Sequence, residues 1–212
     1  SRRQRQMCIR DTFKKDIENA IYPLAVANTT VNGLFFDELL TFVNSDDSEV
    51  DGFELNIFQE LNMLPDPFDG LFISMNFTIT DGTSSLDVDN GTVTFPFRKL
   101  SEDVSNISIG YDKNKFDVRL SYVSRSPYLD YLADDDSETI QEDLDNNNIR
   151  YTDDHTQIDF NLKYKINDNV SVKFDINNIT DEPEFYYWGT QNRLSQYDEY
   201  GTTYSIGIRY NL

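Results

Sequence analysis

His155-Thr-Gln-Ile-Asp-Phe-Asn-Leu-Lys-Tyr-Lys165 reads as a strand with one oily face: Ile158, Phe160, Leu162 and Tyr164 are apolar, and Gln157, Asp159, Asn161, Lys163 and Lys165 between them are polar. After the break Asn167-Asp-Asn169 the register resumes, with Val170, Val172, Phe174 and Ile176 set against Ser171, Lys173, Asp175 and Asn177. The end of the chain repeats the pattern, Tyr204, Ile206, Ile208, Tyr210 and Leu212 alternating with Ser205, Gly207, Arg209 and Asn211. Successive side chains of a strand point to opposite faces, so each segment offers one apolar and one polar surface. Two architectures use such strands. One is a soluble β-sandwich; the other is a membrane-spanning barrel whose apolar face meets lipid and whose polar face lines a wet interior.

The spacing of the strands chooses between them. Alternation marks eight segments, roughly 12–22, 51–62, 70–80, 103–111, 115–126, 155–166, 169–179 and 200–212. Pro23 ends the first, and a long irregular stretch runs from Pro23 to about Val50. Pro65-Asp-Pro-Phe-Asp-Gly70 is a tight reversal, in which proline fixes φ and removes a donor while Gly70 permits a positive φ. A longer connection follows from Asp81 to about Arg98, then the four-residue break Asp112-Lys-Asn-Lys115, the polar excursion Pro127 to Asp154, the turn at Asn167 to Asn169, and a loop from about Thr180 to Glu199. Long and short connections alternate throughout. A sandwich has no reason to put every short turn at one end, whereas outer-membrane barrels have short periplasmic turns and longer extracellular loops. The expectation is an all-β, antiparallel transmembrane β-barrel.

Roles for the side chains follow from that expectation. Ile158, Phe160, Leu162, Val170, Val172, Phe174, Ile176, Ile206, Ile208, Tyr210 and Leu212 are expected to face lipid, with Leu212 at the periplasmic rim. Asp159, Lys163, Lys173, Asp175 and Arg209 then face the lumen as a mixed-charge candidate ligand path. Tyr128, Tyr186, Tyr187, Trp188 and Tyr200 crowd the outer strand ends as an interfacial aromatic girdle would, or as groups that stack on a sugar or siderophore.

Composition narrows the function. Lys and Arg total 18 against 38 Asp and Glu, a net charge of −20, which leaves no positive footprint for nucleic acid. No run of about 18 apolar residues offers a transmembrane helix, but a barrel strand needs only about 9 to 11 alternating residues. Arg2 to Asp11 resembles the one-frame translation of the transposase-type adapter of short-read sequencing libraries, so residues 1–11 are expected to be adapter-derived and 12–212 to be the natural chain, entered in mid-gene. The alternative is a basic arm for nucleic acid or membrane. The only cysteine, Cys8, lies in that stretch. Without residues 1–11, which carry four arginines and one aspartate, 14 basic and 37 acidic residues remain and the net charge falls to −23.

Candidate chemistry is sparse, and neither an enzyme nor a cofactor is expected. His155 is the only histidine, which excludes a multi-histidine metal site and makes it a polar residue at a strand start. Asp134 to Asp145 carries seven carboxylates and can hold Ca²⁺ or serve as a solvated acidic loop; the second reading is preferred. Asp87-Val-Asp-Asn-Gly91 fails as a calcium loop, because its glycine comes one place early and Arg98 stands at the bidentate acid position. The carboxylate pairs Asp153-Asp154 and Glu182/Glu184 lie in loops with nothing to tune them for acid–base work.

Val50-Asp-Gly-Phe-Glu54 followed by Leu64-Pro-Asp-Pro-Phe-Asp-Gly70, then Phe116-Asp-Val-Arg-Leu-Ser-Tyr122 with Arg125-Ser-Pro-Tyr-Leu129, resembles segments of the TonB-dependent outer-membrane receptors. Asn177-Asn-Ile-Thr-Asp-Glu-Pro183 with Tyr200-Gly-Thr-Thr-Tyr-Ser-Ile-Gly-Ile-Arg-Tyr210 is similar to that family's terminus, although the family usually closes on Phe and this chain on Leu212. The resemblance implies the last eight strands of a barrel of about 22 strands. It also implies a place in the bacterial outer membrane, lipid as a partner, a small-molecule ligand of unknown identity, and the remaining N-terminal strands and plug. TonB itself would be reached through the N-terminal part, so the segment is not expected to transport alone. Two alternatives stay open: a complete small eight-stranded barrel with a structural or adhesion role, and a soluble β-sandwich binding module.

Overall fold

The fold was obtained as a computed structural model that describes residues 6–88, 91–132 and 140–211. Strands β1 (Gln6–Ile17), β4 (Asp47–Glu60), β5 (Leu71–Val88), β7 (Asp103–Lys113), β8 (Phe116–Arg125), β11 (His155–Lys165), β12 (Val170–Asn177) and β15 (Thr203–Tyr210) follow one another in a single antiparallel sheet. Seven of these fall on segments that alternation marks; the first differs, because it runs Gln6–Ile17 where alternation marks 12–22, and Ile21 and Tyr22 belong to the next strand. β1 and β15 are the two ends of the strand order. The sheet therefore stays open, and a closed eight-stranded barrel is not what forms.

Register turns the alternation into a surface. Ile57, Met75, Ile107, Tyr122 and Ile158 are successive cross-strand partners on one face, and so are Ile73, Ile109, Leu120, Phe160, Ile176 and Tyr204. Because side chains repeat every second residue, one correct register per strand pair aligns every apolar row. The face is uncovered among the described residues: Ile109, Leu120, Ile206 and Ile208 are all exposed, the last two more than 75%. In a sandwich, a second sheet about 10 Å away would cover this face.

The long connections carry structure of their own. Pro23 to Val50 is not irregular: β2 (Ile21–Val31) and β3 (Leu34–Asn44) form a hairpin closed at Asn32-Gly33, both with positive φ, the turn geometry that matches strand twist. Pro23 lies inside β2, tolerated because that strand has a partner on one side only. β6 (Gly91–Pro96) folds back on the C-terminal end of β5. β9 (Tyr128–Tyr131), β10 (Arg150–Thr152), β13 (Glu184–Trp188) and β14 (Leu194–Asp198) build a second sheet in the order β14-β13-β10-β9, and Ile140–Asp145 forms one short helix.

The buried core sits at this end of the molecule and not in the wall. Tyr22, Leu86, Val93, Phe95, Leu129, Leu132 and Ile149 pack together where the β2–β3 hairpin, the β5–β6 hairpin and the β9–β10 pair meet. A chain of hydroxyls ties the first hairpin down: Tyr22 Oη lies 2.5 Å from Ser84 Oγ, Ser84 Oγ 2.7 Å from Ser48 Oγ, and Ser48 Oγ 3.0 Å from Ser45 Oγ, which accepts from the Ala20 N–H.

At the opposite end the reversal after β4 contains a 3₁₀ turn at Phe68–Gly70, and Lys113 of β7 reaches both Asp66 and Asp69. Gly70 does not take the positive φ expected of it. Its reason is close approach: a Cβ there would lie 2.6 Å from Lys113 Cβ and 3.2 Å from the Asp112 carbonyl.

Candidate functional site: the polar wall and its outer mouth

The polar face of the sheet is a wall of paired hydrogen-bonding groups. Asn56, Asn76 and Asn106 stand side by side on three strands, Asn76 Nδ2 donating to Asn56 Oδ1 and Asn106 Nδ2 lying 3.4 Å from Asn76 Oδ1. Ser108 and Ser121 hydroxyls meet at 3.0 Å. Asp175, almost buried, accepts from Asn161 Nδ2 at 2.8 Å and from the Ser205 hydroxyl at 3.2 Å, and pairs with Lys173 at 2.9 Å. Asp159 accepts from Gln157 Nε2 and from the Asn178 N–H. Lys163 and Lys173 are direct cross-strand partners, and Arg209 is opposite Ser171. All five residues singled out as a polar path thus share this face, the carboxylates engaged and Lys163 next to Lys173 near the short-turn end. Ile158, Phe160, Leu162, Val170, Val172, Phe174, Ile176, Ile206, Ile208 and Tyr210 occupy the other face; Leu212 lies outside the described residues.

One part of the wall is aromatic, which alternation did not signal. Phe58 and Phe72 stand on the polar side with ring centroids 5.6 Å apart, and the Arg119 guanidinium lies 5.5 Å from the Phe72 ring centre. Phe58 breaks the alternation of β4, standing on the side that holds Glu54 and Asn56.

Above the wall, one face of the second sheet is lined by arginine and tyrosine. Tyr128, Thr152 and Tyr186 are neighbours across three strands, and Arg150 sits between Tyr131 and Trp188 one row further on. The Arg150 guanidinium lies 4.6 Å from the Tyr186 ring centre, Arg125 4.9 Å from Tyr128, and Arg98 5.9 Å from Tyr131, distances at which a cation is held by the ring face. Arg150 Nε is 3.1 Å from Asp130 Oδ2, an ion pair by distance without hydrogen-bond alignment. Tyr186 donates to Glu184. Burial, reinforced by that bond, holds the Tyr186 hydroxyl proton well above the usual tyrosine range. Arg125 and His155 are opposite each other at the top of the polar face, so wall and mouth are continuous. Among the described residues, two further buried groups here, Thr152 Oγ1 and His155 Nδ1, have no hydrogen-bond partner.

The aromatic residues picked from sequence do not share one face. Tyr128, Tyr186 and Trp188 lie on the arginine-bearing face. Tyr187 points the other way, stacked on Tyr151 with centroids 5.6 Å apart and almost fully buried. Tyr200 stands apart, broadly exposed. The acidic stretch from 134 to 145 lies partly outside the described residues, and among those described no group of His, Cys, Asp and Glu is placed to hold a metal.

A family model described as TonB dependent receptor-like, beta-barrel, matches residues 11–179. The chain belongs to that family. Its members are outer-membrane receptors and transporters, not enzymes. Among solved structures, that of the siderophore receptor PiuA from Acinetobacter baumannii resembles this chain with a TM-score of 0.58 at 16% identity. The likeness covers 97% of this chain and 26% of that one, so the chain spans about a quarter of the receptor's length. No curated protein sequence matches. TonB-dependent barrels thus supply the frame in which an open sheet with one apolar and one polar face makes sense.

Proposed function

We propose that residues 12–212 are the closing strands of a TonB-dependent receptor that takes up a scarce nutrient of the siderophore, vitamin or carbohydrate class across the bacterial outer membrane. The apolar face meets lipid, and the polar wall with Asp159, Lys163, Lys173, Asp175 and Arg209 lines the lumen. The face bearing Tyr128, Arg150, Tyr186 and Trp188 meets the ligand from outside. The plug, the other strands and the contact to TonB come from the rest of the receptor, and this segment does not transport alone.

The observation that carries the reading is the continuity of the polar wall with the arginine–tyrosine mouth through Arg125 and His155, behind an apolar face that runs from β4 to β15. A ligand entering there meets ring faces, guanidinium groups and unmatched hydrogen-bonding atoms, the mixture that gives small-molecule sites both area and orientation. The test is uptake by cells carrying the complete gene. Growth on limiting iron, cobalamin or oligosaccharide as the sole source should require both the gene and TonB, and Arg150→Ala with Tyr186→Ala should reduce it at least tenfold while the receptor still reaches the outer membrane. Growth indifferent to TonB would overturn the proposal.

A further inference from the structure

The first strand of the sheet breaks the pattern that its neighbours keep. Phe53, Leu55 and Ile57 of β4 continue the apolar face, opposite Ile79, Phe77 and Met75 of β5. On their other side, β1 sets Thr12, Arg10 and Cys8 against the same three residues. Its apolar side chains stand on the wrong face: Met7 is opposite Phe58 and Ile9 opposite Asn56, at the end of the asparagine ladder, each about half exposed. A slip of one residue would exchange the two faces. The strand does not slip, because its C-terminal half is fixed. Phe13 lies over Gly52, where a Cβ would come within 2.7 Å of the ring, and Lys14 Nζ is 2.5 Å from Glu49. The mismatch begins where these anchors end, just before Thr12.

We propose that the β4 edge is a strand-accepting site that residues 6–11 fill as a non-cognate occupant. The cognate occupant runs into Thr12 with apolar side chains where Arg10 and Cys8 now stand and a polar one in place of Ile9. The backbone groups of an edge accept any extended segment. A chain tethered through Phe13 therefore fills the edge whatever its side chains, and only the side chains distinguish the right strand from a wrong one. Arginine on the lipid side of a barrel is penalised in proportion to its depth. The resemblance of Arg2–Asp11 to an adapter translation points the same way on separate grounds. The proposal rests on the apolar face being the lipid face.

Two experiments test it. The codons preceding Thr12 in the source DNA should differ from those for Arg2–Asp11 and encode apolar residues two and four places before Thr12; codons for the present residues, or polar residues at both places, would overturn it. In the 212-residue chain refolded into phosphatidylcholine vesicles, Cys8→Val with Ile9→Asn and Arg10→Leu should slow amide exchange across Phe53–Phe58 at least tenfold. Unchanged or faster exchange counts against the proposal. A chain that never enters the vesicles refutes the lipid assignment instead, and the upstream codons then decide the strand's phase by themselves.

Discussion

Phe72 and Gly110 are cross-strand partners, and the ring of Phe72 occupies the space a side chain at Gly110 would need: a Cβ there would stand 2.1 Å from Phe72 Cζ. An aromatic laid over a glycine restores packing that the glycine gave up and fixes the register of the pair. Arg119 and Phe58 hold the ring from two further sides.

Gly110→Ala should therefore displace a nearly buried ring and cost about 1–3 kcal/mol, the usual range for overpacking. Urea unfolding in vesicles reads the loss. Adding Phe72→Ala should recover part of it, since the clash disappears along with the contact.

The asparagine ladder is asymmetric, with a short bond from Asn76 to Asn56 and a long one from Asn106 to Asn76. Asn76→Ala loses both and should cost about 1–2 kcal/mol, while Asn106→Ala should cost well under 1 kcal/mol. A double-mutant cycle between positions 56 and 76 should show coupling, and one between 56 and 106 none.

Tyr22→Phe removes the end of the hydroxyl chain at the β2–β3 hairpin. Ser84 keeps its bond to Ser48, so no buried group is orphaned and the cost should stay near 1 kcal/mol. Amide exchange should quicken in the hairpin and leave β11, β12 and β15 unchanged.

Alkaline titration should separate two tyrosines. Tyr186 is held neutral chiefly by burial, Tyr200 chiefly by the charge of Asp198. Because its folded pKa lies above the unfolded value of about 10, Tyr186 stabilises the fold fully below that pH and loses this contribution as pH rises toward its own higher pKa. Burial also raises Tyr151 and Tyr187, so ultraviolet absorbance should show a late-ionising group of tyrosines whose amplitude Tyr186→Phe lowers by one residue. Concentrated salt should move Tyr200 back toward its ordinary value and leave Tyr186 where it is.

What the sequence revealed and what it hid have one physical cause. Seven wall strands, and the Thr12–Ile17 part of the first, were readable because a sheet with one apolar and one polar face writes a period of two into its residues. β2 and β3 carry no such pattern. Their Leu24-Ala-Val-Ala27 run does not alternate, Pro23 read as a stop, and only Asn32-Gly33 marked the hairpin. The mouth was half legible: Tyr128, Tyr186 and Trp188 stood out by type, but their arginines did not, because Arg98, Arg125 and Arg150 come together through strand pairings between distant loops. Tyr187 was grouped with its neighbours by adjacency, although adjacent residues of a strand face opposite ways.

The sheet of β9, β10, β13 and β14 joins two connections that the sequence keeps far apart. Arg150, Tyr151 and Thr152 from one pair with Trp188, Tyr187 and Tyr186 from the other, and the Gly189 N–H donates to the Ile149 carbonyl. Neither connection is then a separable module. A graft that transplants one to re-target the mouth would leave the other with an unpaired edge and a half-buried stack, so the two must be exchanged together, and mutations accumulating in one are answerable to the other.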